Sequence, residues 1–138
     1  MPDPETVFRQ VARVLRPGGP YRVGFHNPFT FEASETDWDG RGYPLRRPYR
    51  DGEVTWDDPD WAIEREDGST VRVVGPREFC HTMGTMINGL ARAGFAVTGI
   101  EDGAMDDVEE DPNAPPGSWE HYLAVMRPFL GLWAANQS

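Results

Sequence analysis

The stretch VFRQVARVLRPGGPYRVGF, residues 7 to 25, holds a helix and the strand that follows it, and it decides the fold class. Val7, Phe8, Val11, Val14 and Leu15 recur at helical spacing and predict one apolar stripe. Asp3 is suited to the N-cap, Pro4 to the first helical position, and Gly18 to a left-handed residue closing the helix. Tyr21 to Phe25 then reads as a strand, so the unit is of the α/β kind. The Gly18-Gly19 pair lies at a helix C-terminus, where free backbone N–H groups are not on offer to an anion, and it reads as a cap.

Downstream, Pro28 removes a donor and pushes Asn27 out of the helical region, which ends the strand at His26-Asn27. Ligands of open α/β sheets collect at the carboxyl ends of strands, so His26 and Asn27 are candidates for touching a substrate. From residue 29 to 61, Phe29, Phe31, Trp38, Tyr43, Tyr49, Trp56 and Trp61 occur without amphipathic period, as in a loop-rich insertion that must bury its rings. Arg46, Arg47 and Arg50 sit among acidic residues and read as paired with carboxylates on an exposed face. The Asp67-Gly68 turn signal before Val71-Arg72-Val73 predicts a small hairpin over residues 62 to 74. The next helix can begin at Gly75 or with Thr82 as N-cap, since Phe79, Met83, Met86, Ile87 and Leu90 fit one face either way. Phe95 to Ile100 is a strand and Ser118 caps a helix through Met126. Residues 129 to 134 form an apolar strand that needs neighbours on both sides.

At 138 residues the chain is one domain at most, long enough in principle to bury about two-thirds of its unfolded surface. Its net charge of −10 disfavours nucleic acid and anionic membranes as partners. One cysteine, Cys80, allows no internal disulfide, and no apolar run is long enough to span a membrane, so a cytoplasmic location is expected. The seven carboxylates between Glu101 and Asp111 lack calcium-loop spacing and read as a solvated loop. One cysteine and three histidines are too few for a zinc site, and Cys80 has no basic cluster to activate it.

Three segments carry a resemblance to class I S-adenosylmethionine (SAM)-dependent methyltransferases. Residues 7 to 25 resemble the segment leading into the family's fifth strand. HTMGTMINGLARAGFAVTGIEDG, residues 81 to 103, resembles the helix and sixth strand, and GSWEHYLAVMRPFLGLWA, residues 117 to 134, is similar to the last helix turn and the antiparallel seventh strand. GYPLRRPYRDGEVTW, residues 42 to 56, resembles a lid over the acceptor pocket. The resemblance implies a partial Rossmann-like sheet, the C-terminal three strands, within one methyltransferase-like unit over residues 1–138, its lid-like insertion spanning residues 29–75. It also implies a strand order of five, seven, six, with the edge of strand five bare and open to self-association or a partner, and the apolar stripe of Val7, Phe8, Val11, Val14 and Leu15 only partly covered.

Missing from the sequence are the family's glycine-rich turn after the first strand and its ribose-binding acidic strand end. SAM is therefore expected as cofactor of a complete parent and not of this chain alone. On the acceptor side the resemblance implies His81 and His26 as catalytic candidates, with Asn27, Tyr43 and Trp56 as substrate-binding residues. His121 reads as a surface or packing residue. The expected function is the C-terminal portion of a SAM-dependent methyltransferase acting on a small molecule. The alternative is a stand-alone acidic α/β module that binds a protein.

Overall fold

The computed structural model describes residues 1–31, 33–55, 58–103 and 109–138. Helix α1, Pro4–Val14, starts where expected: the Asp3 side chain accepts the Thr6 N–H at 3.2 Å. It ends ahead of the glycine pair, which corrects the cap reading. Pro17 disfavours a helical Arg16, and Leu15 is already extended, at φ −85° and ψ 138°. Gly18, at φ 74°, is instead the third residue of a tight turn from Arg16 to Gly19, whose N–H reaches the Arg16 carbonyl at 2.9 Å. Proline second and a positive-φ glycine third is the type II pattern.

The helix end is closed from the far end of the chain. Asn136, 1% exposed, donates from Nδ2 to the carbonyls of Ala12 at 3.2 Å and Leu15 at 2.9 Å. Asn136→Ala leaves those acceptors buried without a donor, and a loss of about 1–3 kcal/mol is expected. Urea denaturation checks it; an unchanged midpoint would mean that water replaces the amide.

Strand β1, Pro20–His26, runs into the insertion, inside which a 3₁₀ turn spans Glu35–Asp37. Four short strands follow, β2 (Gly52–Val54), β3 (Asp60–Glu64), β4 (Thr70–Val74) and β5 (Glu78–Cys80). The expected hairpin is β3–β4, turning at Gly68 with φ 79°. β2 pairs antiparallel with β5, Gly52 opposite Cys80, so the insertion closes beyond residue 75 and Phe79 belongs to a strand, not to a helical face. Helix α2, Met83–Arg92, takes the second of its two possible starts, with Thr82 as N-cap.

Strand β6 (Phe95–Asp102), helix α3 (Trp119–Met126) and strand β7 (Phe129–Asn136) complete the described elements. β7 is the central strand of the order β1-β7-β6 and is antiparallel to both neighbours, as its apolar run requires. α1 and α2 meet over one face of this sheet, where Phe8, Met86 and Leu90 are fully buried with Leu132 and Ala134. Gly89 permits the approach, because a Cβ there would lie 3.1 Å from the Phe8 ring. Partial cover of the α1 stripe is thus corrected at Phe8, which α2 seals, while Val14 remains 69% exposed.

On the sheet's other face α3 packs against Phe129 at one end, and polar side chains lie beyond it. There Arg22 bonds Glu101 at 2.9 Å and stands over Trp133, whose indole N–H donates to the same carboxylate. The glycines paired beside them, Gly24 with Gly131, keep that surface flat. A second apolar cluster, Ala33, Tyr43, Tyr122 and Leu123, joins α3 to the insertion. Residues 104–108 of the expected acidic loop lie outside the described residues. Of its carboxylates, Glu110 bonds Arg127.

Candidate functional site

Two cavities flank Phe31 at the carboxyl end of β1, on either side of the segment after His26. The one nearer α3, about 250 Å³, is walled by Phe31, Phe129, Trp119 and Tyr122, with His26 and Thr30 among its polar members. Ser34 and the Glu35 carboxylate also line it. His26 arrives there because it is the last residue of β1, paired with Phe129. Its ring centroid lies 5.1 Å from that of Phe129 and 5.1 Å from that of Phe31. His26 stays exposed to solvent on one side, and the partial loss of water on its ring-facing side pushes its pKa below the usual imidazole value, with Glu78 opposing this in part. The neutral imidazole that results has no hydrogen-bond partner among the described residues at either nitrogen. It can accept a proton.

Thr30 adds a group that the sequence did not signal. Its Oγ1 is buried and without a hydrogen-bond partner among the described residues. A buried hydroxyl left unpaired costs about 1–3 kcal/mol, which a polar ligand group in the same cavity would recover. Tyr122 is already occupied: its hydroxyl donates to the Ala33 carbonyl at 2.6 Å, and burial, with Glu35, Tyr43 and Asp37 adding, pushes its pKa up to about 12.

The remaining sequence candidates fall around this cavity in different ways. Asn27 holds the turn beneath it: Nδ2 donates to the Arg127 carbonyl at 2.9 Å and Oδ1 accepts the Phe29 N–H at 3.0 Å. Arg127 needs such a hold, since it takes the left-handed conformation at φ 48° ahead of Pro128. Tyr43 stands behind Tyr122 at a ring separation of 5.3 Å; its hydroxyl lies 2.8 Å from His121 Nδ1 and accepts the Gly117 N–H at 3.0 Å. His121 is buried there under Trp38. Trp56 lies outside the described residues. His81 is on the far side of the insertion, 9% exposed, with Nε2 on the Met1 carbonyl at 2.7 Å and Nδ1 3.8 Å from Asp51. The structure therefore brings His26 and Asn27 together and keeps His81 apart from them.

The second cavity, about 270 Å³, lies between Phe29, Tyr49 and the β2–β5 pair. The insertion is fixed beside it by the N-terminus of α2. Asp51 accepts the Thr82 N–H at 2.9 Å and the Thr85 hydroxyl at 2.8 Å, and Tyr49 Oη accepts the Met83 N–H at 2.9 Å. Burial raises the Asp51 carboxyl, but these bonds outweigh it and the net shift is downward. Cys80 lines the cavity with a thiol pushed up by burial and then by Asp51, so it is uncharged at neutral pH. Among the described residues no group of three or more histidine, cysteine or acidic side chains could hold a metal, and no helix is long and apolar enough to cross a membrane.

No protein-family model matches the sequence, and no curated protein is significantly similar to it. Among solved structures, the chain matches a protein classed as a SAM-dependent methyltransferase from Listeria monocytogenes, with a TM-score of 0.55 and 17% identity. A SAM-dependent methyltransferase from Mesorhizobium loti matches with a TM-score of 0.51 and 21% identity. Each match covers 97% of this chain and 55% of the other, so the chain spans about half the length of these structures. The fold is shared with part of a methyltransferase.

The described residues do not fit the methyl donor. Gly18-Gly19 leads out of α1 into β1, and the joint from β5 into α2, His81-Thr82, has no glycine to bring backbone close to a nucleotide.

Proposed function

We propose that the chain is the acceptor-binding, C-terminal portion of a SAM-dependent methyltransferase acting on a small molecule, with donor binding supplied by the rest of a complete domain. The observation that carries this reading is His26, a neutral and unpartnered imidazole in an aromatic cavity at the carboxyl end of β1. A hydroxyl or amine nucleophile must lose a proton as it takes a methyl group. His26 receives that proton, Thr30 orients the acceptor through its free hydroxyl, and Phe31, Trp119 and Phe129 pack against the acceptor's apolar part. Asn27 and Tyr43 support the cavity from beneath and behind. The outer edge of β1 has no partner strand among the described residues. It is the place where the missing strands of a complete sheet, or a second chain, would add.

Calorimetry tests the division of labour. Titration of the isolated chain with SAM, or with its demethylated product, is expected to give no saturable heat. Saturable binding at about micromolar Kd by the monomeric chain would overturn the half-domain reading. In a complete domain, transfer of a labelled methyl group to a small-molecule acceptor is the expected activity.

The alternative of a protein-binding module is favoured by one observation, the part of the sheet face beyond α3, with Trp133 38% exposed above the Arg22–Glu101 pair. In the methyltransferase reading that face is covered by the remainder of the domain.

A further inference from the structure

We propose that the cavity between Tyr49 and Cys80 is a binding site for a compact aromatic carboxylate, its ring against Phe29 and Tyr49 and its carboxylate on Arg50. The inference does not depend on methyl transfer, because Phe31 is the one wall that both cavities share and the proposed contacts to Phe29, Tyr49 and Arg50 lie outside the His26 cavity.

The walls select the ring. Phe29 and Tyr49 stack on each other with centroids 4.8 Å apart and an 18° tilt, and both line the cavity. They are nevertheless 58% and 47% exposed, and neighbouring Leu45 is 55% exposed. Large apolar side chains gathered at a concave surface gain free energy when a ligand covers them, at roughly 25 cal/mol per Å² of apolar area. An aromatic face prefers an offset-stacked or edge-on ring to a puckered aliphatic one. The volume of about 270 Å³ lies just below that of sites for drug-sized ligands, which favours a single small ring system.

The charges select the substituent. Of the two carboxylates lining the cavity, Glu53 is held bidentately by Arg77, at 2.6 and 2.7 Å, and Asp51 is taken up by Thr82 and Thr85. Arg46 pairs with Asp37 at 2.5 Å and Arg47 donates to the Thr55 carbonyl at 2.5 Å. Arg50 departs from the expectation that all three arginines pair with carboxylates. It lines the cavity with no carboxylate partner among the described residues. Arg50 is thus a rim guanidinium left available in a chain whose net charge is −10. A guanidinium in that position matches a carboxylate in a two-pronged hydrogen bond.

Preorganisation supports the same assignment. Tyr49 is held by the Met83 N–H, and Gly52 and Cys80 are paired across β2–β5, so the walls need little ordering when a ligand arrives.

The test uses the chain itself, labelled with ¹⁵N, and three probes of similar size: benzoate, benzamide and cyclohexanecarboxylate. Benzoate is expected to saturate with a Kd of roughly 0.1–1 mM and to shift the backbone amides of Gly52 and Cys80. Benzamide, which lacks the charge, and cyclohexanecarboxylate, which lacks the flat ring, are expected to bind at least about threefold more weakly. Arg50→Gln, at an exposed position, should weaken benzoate roughly three- to tenfold and leave benzamide unchanged. Arg50→Lys should restore part of the loss, and Leu45→Asp should weaken benzoate by repulsion without disturbing the fold. Absence of saturation at about 10 mM, equal affinity for benzoate and benzamide, or an Arg50→Gln variant that binds benzoate like the parent overturns the proposal. His26→Gln is expected to leave benzoate binding intact, so failure of the His26 assignment and failure of this one read out separately.

Discussion

Replacing Phe8 by alanine is expected to remove about 3–5 kcal/mol of folding stability, the range for truncating a buried aromatic ring. Phe8 is fully buried at the point where α1 and α2 meet, edge-on to Tyr21 at 6.3 Å and against the bare backbone of Gly89. The ring has no substitute nearby. Met86 and Leu90 are already buried completely on the facing helix, so they cannot move into the gap without leaving another. A domain of this size is stabilised by about 5–15 kcal/mol in all, so the variant should lose a third or more of its stability. Its melting temperature should fall by roughly 10–20 °C. Val14→Ala on the same helix, at an exposed position, should change stability by less than about 0.5 kcal/mol. A Phe8→Ala variant that melts with the parent would mean that α1 does not pack on α2 as described.

The second large effect is expected in a complete domain that contains this chain. His26→Ala should lower turnover by roughly 10²–10⁴-fold, the usual contribution of a positioned base, while donor affinity stays unchanged. The pH dependence has a sign. Because the loss of water around His26 depresses its pKa, the base is already free at neutral pH, and the acidic limb of turnover should have its midpoint below about 6.5. The same depression links to folding. Between the folded value and the unfolded one the unfolded chain binds more protons, so stability from this group is present above the unfolded pKa and is lost as pH falls through the folded one. Steady-state kinetics against pH, with the imidazole followed by NMR, checks both. His81→Ala is the comparison. Its Nε2 is engaged by the Met1 carbonyl, so its loss should act on stability first. A loss of turnover confined to His81→Ala would transfer the role of base to His81.

Local chemistry made much of the fold legible. Asp3, Thr82 and Ser118 each cap the helix they precede, and each does so through a bond to an N–H three residues on. That bond depends only on the residue type and the backbone beside it. The Asp67-Gly68 turn determined the β3–β4 hairpin for the same reason, since Gly68 supplies the positive φ. The apolar run of β7 determined that this strand is central, because a strand without a polar face cannot lie at a wet edge.

Tertiary structure alone decided the rest, and in each case the partner is far away in sequence. Asn136 closes α1 from 121 and 124 residues downstream, and nothing in AANQS distinguishes that amide from a solvated one. Pro17 and Gly18 look like a helix stop but form the turn beyond it, because which carbonyl they satisfy is set by the strand that follows. The β2–β5 pair is three residues long on each side, too short for a period to show. His26, at a strand end, and His81, before a helix, were both acceptor-side candidates as sequence. Only the arrival of Phe31 and Phe129 around one imidazole, and of the Met1 carbonyl on the other, separates an unpartnered, partly desolvated side chain from a tethered one. Desolvation is a property of what the whole chain packs around a group, and no pattern of neighbours along the chain encodes it.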